Sequence, residues 1–165
     1  MLLWRILAGA LLTGAGWMAG QHAANRFERR LETLRQMQEV RLRLGEGLRR
    51  NEELPETLKR MGRTRAGEIM ASCGRRMEKE EPEGDFWQAS FEALEDLDEE
   101  DRRRLCGWFS EYVRGDRQRR EAELAEMGEY LSGKVKQVQK EKRECGRLYR
   151  NLGVMLGLAA AIMLI

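Results

Sequence analysis

The sequence predicts an all-α protein, a compact helical bundle flanked by an N-terminal and a C-terminal transmembrane helix. Three observations support this fold class. Apolar residues recur every three or four positions along the chain, which is typical of helices with one buried face. No alternating pattern of useful length indicates a strand, and the 165 residues include only 2 prolines. Both ends are apolar, whereas 35% of all residues are charged.

The N-terminal segment, residues 1–21, is predicted to be a transmembrane helix. It is apolar from Leu2 to Gly20 except for Arg5, with Trp4 and Trp17 near its two ends, where aromatic rings suit the headgroup layer. About twenty helical residues span roughly 30 Å of hydrocarbon. A cleaved signal peptide is the alternative. The basic residues that follow oppose export and favour a retained anchor. They are Arg26, Arg29 and Arg30.

Residues 148–165 are predicted to form the second transmembrane helix. No residue is charged from Leu152 onward, although this run is shorter than the roughly twenty residues usual for a span. Basic residues precede it: Lys140, Lys142, Arg143, Arg147 and Arg150. Because basic flanks stay in the cytoplasm, residues 22–147 are predicted to be a cytosolic helical bundle domain, with both ends of the chain outside.

Two glycines four residues apart, Gly153 and Gly157, mark the C-terminal segment. Four residues make about one helical turn, so both glycines lie on one face. Such a step lets another helix backbone approach closely, and it predicts packing against a partner or against the first apolar segment. A helix that contacts only lipid also tolerates glycine, and both interpretations stay open.

The first long helix is predicted to continue from the N-terminal segment, with a turn at Asn51. Its apolar stripe consists of Leu31, Leu34, Met37, Val40, Leu44 and Leu48. Gly45 and Gly47 are expected to weaken its far end. A second helix is predicted to restart at Pro55, since proline needs no N–H partner in a first turn.

Gly62 and Gly67 are expected to bend or split that second helix, and residues 78–84 are predicted to be a polar linker. Two further helices follow, with Asp85 and Asp98 as their caps. Their apolar faces are predicted to build the core. These residues are Trp87, Phe91, Leu94, Leu105, Trp108, Phe109 and Tyr112.

The last helix is predicted to begin after Gly115, with Asp116 as its cap. A heptad-like seam, which is predicted to pack on the first long helix, follows at steps of four and three. It comprises Leu124, Gly128, Leu131, Val135, Val138, Lys142, Cys145 and Tyr149. This helix is expected to run unbroken into the C-terminal apolar segment.

The sequence carries no recognisable catalytic, cofactor or metal signature. It has no Gly-rich phosphate loop and no nucleophile elbow, and His22 is its single histidine. The three cysteines lack the spacing of a zinc site or a disulfide framework. They are Cys73, Cys106 and Cys145. Arginine and glutamate interleave at a net charge of +2, so nucleic-acid binding is not expected either. We expect a non-enzymatic protein with no cofactor.

Acidic residues concentrate between residues 78 and 101. At one predicted helix start, Glu99, Glu100 and Asp101 form an exposed tract that favours docking of a basic partner. A solvated helix start is the simpler interpretation of the same tract.

Four short segments of the chain have the order and spacing of segments in a known protein family. They are Tyr149 to Leu158, with a Leu-Gly step and a second glycine; Leu54 to Leu58, with Leu-Pro; Phe86 to Phe91, with Trp-x-x-Ser; and Val113 to Asp116, with Gly-Asp. Together they resemble the stage III sporulation protein AB family. The chain departs from that family's pattern at Gly45 and Gly47 and at Arg119 and Arg120.

The resemblance implies a role in endospore formation. That family is similar to the cytoplasmic domain of inner-membrane platform proteins of type II secretion and type IV pilus machines. Expected partners are the other membrane subunits of the channel between mother cell and forespore, and a cytosolic secretion-type ATPase. The expected location is the mother-cell membrane around the forespore. Two other classes stay open: a platform subunit of another secretion or pilus apparatus, and a generic membrane-tethered coiled-coil scaffold.

Overall fold

A computed structural model describes residues 2–79 and 83–164 of the chain, and this part is all-α, as predicted. The helices are α1 (Leu2–Arg49), α2 (Leu54–Lys59), α3 (Arg65–Glu78), α4 (Glu83–Glu92), α5 (Glu99–Arg114) and α6 (Arg117–Leu164). Among the residues described, no helix meets the length and apolarity that a membrane crossing requires.

The chain divides into two compact units, and each long helix contributes to both. We call Met1–Arg29 with Gln137–Ile165 the tail unit, and Arg30–Lys136 the bundle unit. In the tail unit, α1 and α6 are joined by an ion pair of 2.6 Å between Lys142 Nζ and Glu28 Oε1.

The predicted stripe on α1 is buried in the bundle unit, except that Leu48 is half-buried. The helix runs through both glycines to Arg49, and Asn51 makes the following turn with φ at 54°, a left-handed conformation that asparagine tolerates. A Cβ atom at Gly47 would lie 2.6 Å from Cγ2 of Thr57. Gly47 therefore allows α2 to pack closely on α1, rather than weakening the helix as expected.

The predicted second helix is split into α2 and α3, and a bend or a split at Gly62 and Gly67 was expected. Thr64 caps α3, because its hydroxyl oxygen accepts a hydrogen bond of 3.1 Å from the N–H of Gly67. A Cβ atom at Gly67 would collide with the carbonyl group of Met61, at 2.9 Å from its carbon. At Gly62 an added Cβ would meet nothing within 4 Å. The split therefore depends on Gly67.

The aromatic core between α4 and α5 is confirmed, and all seven predicted residues are buried. The ring of Phe109 lies 5.4 Å from that of Trp87 and 5.2 Å from that of Phe91, in tilted arrangements that favour aromatic attraction. The prediction that Asp85 caps α4 was wrong, since α4 already begins at Glu83 and Asp85 lies in its first turn.

In the bundle unit, α6 packs antiparallel on α1, as the predicted seam indicates. Asp116 caps α6 by accepting a hydrogen bond of 2.8 Å from the N–H of Arg119. Further along, Arg41 Nε donates to the carbonyl oxygen of Leu124 at 2.8 Å. A Cβ atom at Gly128 would lie 2.6 Å from Cζ of Arg41, so this glycine makes room for the guanidinium group. The seam omitted Met127, which is also buried.

Replacing Gly67 with alanine is expected to lower the free energy of unfolding of the full chain by about 1–3 kcal/mol, because the added methyl group must displace backbone. Gly62→Ala is the matched control. It adds the same methyl group in open space at a residue without positive φ, so its stability should be equal to or slightly above wild type. Thermal unfolding followed by circular dichroism measures both, and equal stability of the two variants would contradict the packing role of Gly67.

Candidate functional site

The three acidic residues of the predicted docking tract separate in the structure. Glu99 and Glu100 are exposed, whereas Asp101 is completely buried. They occupy the first three positions of α5, and successive helical residues point about 100° apart. Asp101 therefore faces the interior, and the expectation that it lies exposed for a partner was wrong. Docking by the other two residues stays a prediction.

The Asp101 carboxylate is the buried centre of a charge network that joins α5 to α1 and α6. Its Oδ2 accepts a hydrogen bond of 2.7 Å from Arg30 Nη2 of α1. Its Oδ1 accepts the hydroxyl hydrogen of Tyr130 and lies 3.1 Å from Lys134 Nζ, both on α6. A buried carboxylate is tolerated when both oxygens are paired in this way.

Asp98 completes the network at the N-cap of α5. Its carboxylate lies 2.6 Å from Nη1 of Arg30 and makes no side-chain hydrogen bond to the first turn of the helix. Two carboxylates thus face two basic side chains, those of Arg30 and Lys134, and the formal charges cancel. We call Arg30, Asp98, Asp101, Tyr130 and Lys134 the Asp101 network.

Two pKa values in this network are displaced from their ordinary ranges. Burial alone raises the pKa of Asp101, but the hydrogen bonds from Tyr130, Arg30 and Lys134 outweigh burial and lower it overall. The pKa of the Tyr130 hydroxyl is raised, first by burial and then by its bond to the Asp101 carboxylate. Both directions keep the carboxylate charged and the phenol protonated at neutral pH.

An aromatic and cationic layer lies against the network. The Tyr130 and Trp108 rings meet edge to face with their centroids 4.9 Å apart. Arg104 Cζ lies 4.5 Å from the Tyr130 centroid and 5.2 Å from that of Trp108, within range of cation–π attraction.

A groove of about 680 Å³ lies between α4 and α5, beside the exposed acidic residues. Glu99 pairs with Arg103 one turn later, while Glu100 makes no hydrogen bond or ion pair within the described part of the chain. Cys106 also lines this groove, but burial raises the pKa of its thiol, so it is not an activated nucleophile. The groove therefore offers exposed charge beside a thiol whose pKa is raised.

No cluster of three or more His, Cys, Asp or Glu side chains suited to a metal ion occurs among residues 2–79 and 83–164. Gly153 and Gly157 belong to α6, but their surroundings lie outside what the structure describes. The packing prediction for these two glycines stays open.

Sequence reasoning found Asp101 but missed the rest of its network. Arg30 is 71 positions away and Tyr130 is 29 positions away, and neither residue stands out in its own helix. No local pattern in the sequence points to these partners, because they lie on different helices from Asp101.

The stage III sporulation protein AB family model matches residues 5–165. The chain belongs to that family. Membership confirms the resemblance carried by the four short segments, and it assigns the chain a role in sporulation. No curated protein and no solved structure shows a match.

The residues at which this chain departs from the family pattern hold contacts of their own. Arg120 donates from Nε to the carbonyl oxygen of Tyr112 and from Nη2 to that of Val113, both at 3.0 Å, which closes the C-terminal end of α5. Arg119 pairs with Glu111. With the Asp101 network at its start, α5 is held by α6 at both ends.

Replacing Asp101 with asparagine is expected to destabilise the full chain by about 3–5 kcal/mol, because Lys134 then loses its carboxylate partner and Arg30 keeps only the half-exposed Asp98. Glu100→Gln is the matched control, since it removes one charge from the adjacent exposed position and should change stability by less than about 0.5 kcal/mol. Chemical unfolding followed by circular dichroism measures both. Equal stability of the two variants would show that the network contributes nothing specific.

The pH dependence of stability should also report the contribution of the Asp101 charge. The pKa of Asp101 is lowered in the folded state, so its stabilisation is complete above the unfolded value of about 3.9 and is lost as the pH falls through the folded value. The stability difference between wild type and Asp101→Asn should therefore be largest at neutral pH and shrink in acid. A difference that stays constant down to acidic pH would contradict this assignment.

Proposed function

We propose that this protein is a non-enzymatic, membrane-anchored and platform-like subunit of the channel complex between mother cell and forespore, required for endospore formation. The observation that carries the proposal is the family match over residues 5–165. The bundle unit supports it, because a rigid helical core with an exposed charged helix start suits a subunit that positions partners.

The membrane part of the proposal rests on the sequence of the two ends. Residues 1–21 and 148–165 are largely apolar, with Arg5 and Arg150 as their charged residues, and basic residues flank both on the inner side. We propose that both segments are retained anchors in the mother-cell membrane around the forespore, with residues 22–147 in the cytosol. In the second anchor, Gly153 and Gly157 supply a face on which another membrane subunit packs.

The cytosolic partner in this proposal is a secretion-type ATPase with a basic docking surface. Glu99 and Glu100 are exposed at the start of α5, and Glu100 is free to pair with a partner. Both ends of α5 are held in place, so these carboxylates are presented at a defined position. Charges that are already positioned lose little side-chain freedom on binding.

Labelling of single cysteines in cells tests the anchored topology. Arg50 and Ala125 are both exposed on the bundle unit, so Arg50→Cys and Ala125→Cys should react well with a maleimide once cells are permeabilised. In intact cells a membrane-impermeant maleimide should not reach either position. The native cysteines are replaced by alanine in all samples. Efficient labelling in intact cells would reject the topology.

Charge reversal tests the docking surface. Glu99→Lys with Glu100→Lys should weaken binding of the ATPase at least tenfold at low salt, with a smaller effect at high salt, because exposed charges are screened. The matched control is Glu121→Lys with Glu129→Lys. Glu121 pairs with Arg117 as Glu99 pairs with Arg103, and Glu129, like Glu100, is exposed. Unchanged affinity of the first variant at low salt would reject the docking role and leave Glu99 and Glu100 as solvated residues at a helix start.

A further inference from the structure

We propose that the tail unit carries a binding surface for anionic lipid headgroups, formed by Arg26 of α1 and by Lys140 and Arg143 of α6. The inference rests on the membrane anchorage in the proposed function and goes beyond it, since an apolar anchor by itself does not distinguish between lipids. The protein would then prefer anionic lipids in addition to being anchored in the bilayer.

Charge is distributed unevenly between the two units of the chain. The tail unit holds eight basic and three acidic residues, a net charge of +5, whereas the bundle unit holds 22 basic and 25 acidic residues, a net charge of −3. The positive charge therefore collects in the unit that contains both apolar segments. An anionic surface attracts this unit and repels the other.

Three exposed basic side chains of the tail unit lie at one level of its two helices. The Lys142–Glu28 ion pair of 2.6 Å places residue 28 beside residue 142. Arg26, Lys140 and Arg143 are within two residues of that pair along their own helices, or about 3 Å of helical rise. All three are exposed, so three cationic groups lie at the level of this ion pair.

These groups are available to an outside ligand. Arg26 and Arg143 make no ion pair or hydrogen bond within the described residues. Lys140 lies 3.8 Å from Glu144, in a pair with side chains 77% and 63% exposed. Such exposed pairs are weak and exchange easily for a stronger anion.

Exposed apolar side chains continue along the same helix in the direction of the C-terminal apolar segment. Leu148 is 59% exposed and Met155 is 69% exposed. They are seven residues apart, about two helical turns, and so share one face of α6. Basic groups followed by exposed apolar groups match the order of headgroup and acyl chain in a lipid. An acidic protein surface would pair with the basic groups but not with the apolar ones.

The spacing along the helices places the basic groups near the headgroups. Arg26 is six residues from Gly20 and Arg143 is nine residues from Leu152, which correspond to about 9 and 14 Å of helix. Long basic side chains cover part of that distance, and the remainder is comparable to the screening length of about 8–10 Å near physiological salt. Attraction of anionic headgroups should therefore persist at physiological salt and weaken at high salt.

Quenching of tryptophan fluorescence in reconstituted bilayers tests the proposal with the full chain. Trp4 and Trp17 lie in the N-terminal apolar segment, so a brominated lipid bound beside the tail unit quenches them. Brominated phosphatidylglycerol is compared with brominated phosphatidylcholine in vesicles of both lipids. We expect phosphatidylglycerol to be preferred by at least fivefold at low salt, since each basic residue near an anionic surface contributes about fivefold.

Two triple variants of equal charge separate a defined surface from a general effect of net charge. Arg26→Gln, Lys140→Gln and Arg143→Gln together should remove most of the preference, because the net charge of the tail unit falls from +5 to +2. Arg35→Gln, Arg49→Gln and Arg63→Gln remove three exposed arginines of the bundle unit and should preserve it.

Each outcome has a defined meaning. A preference that is lost in the first variant and kept in the second supports the surface. Equal quenching by both lipids in wild type would overturn the inference while leaving the anchorage intact. Equal loss in the two variants would overturn it too, by assigning the preference to net charge. Absence of quenching by either lipid would reject the membrane anchorage itself.

Discussion

Burial of one carboxylate is the constraint on which the arrangement of the bundle unit depends. Asp101 is completely removed from solvent, and an unpaired charge in that position would cost several kcal/mol. The carboxylate is therefore stable only while α1 supplies Arg30 and α6 supplies Tyr130 and Lys134. Apolar contacts tolerate small shifts between helices, whereas this pairing accepts one register. We infer that the network selects the register of three helices more than it adds stability.

The same constraint explains how an exposed helix start acquires a defined position. The Asp101 network holds the first turn of α5, and Arg120 closes its last turn on α6. Between these ends, Phe109 packs against the aromatic rings of α4. Glu99 and Glu100 consequently project from a helix whose position is determined on several sides. In the proposed function, this makes α5 the element that presents charge to a cytosolic partner.

The two units combine different physical chemistry within continuous helices. The bundle unit has an apolar core, balanced ion pairs and an excess of acidic residues, while the tail unit is basic and contains the two apolar segments. Both α1 and α6 contribute residues to each unit. In the proposed function, a protein partner binds the acidic start of α5 in the bundle unit, whereas the lipid surface binds basic residues of α1 and α6 in the tail unit.

The sequence by itself determined the helices and their buried faces, because these follow from the spacing of residues that are close in the chain. The stripe from Leu31 to Leu44, the aromatic core around Phe109 and the cap at Asp116 were all predictable for this reason. Only the tertiary structure decided that Asp101 is buried and that Gly47 and Gly67 are packing sites. Whether a carboxylate is exposed depends on a guanidinium group 71 positions away, and whether a glycine is required depends on the atom its missing Cβ would meet. The local sequence pattern specifies neither the ion-pair partner of Asp101 nor the atom that lies opposite each glycine.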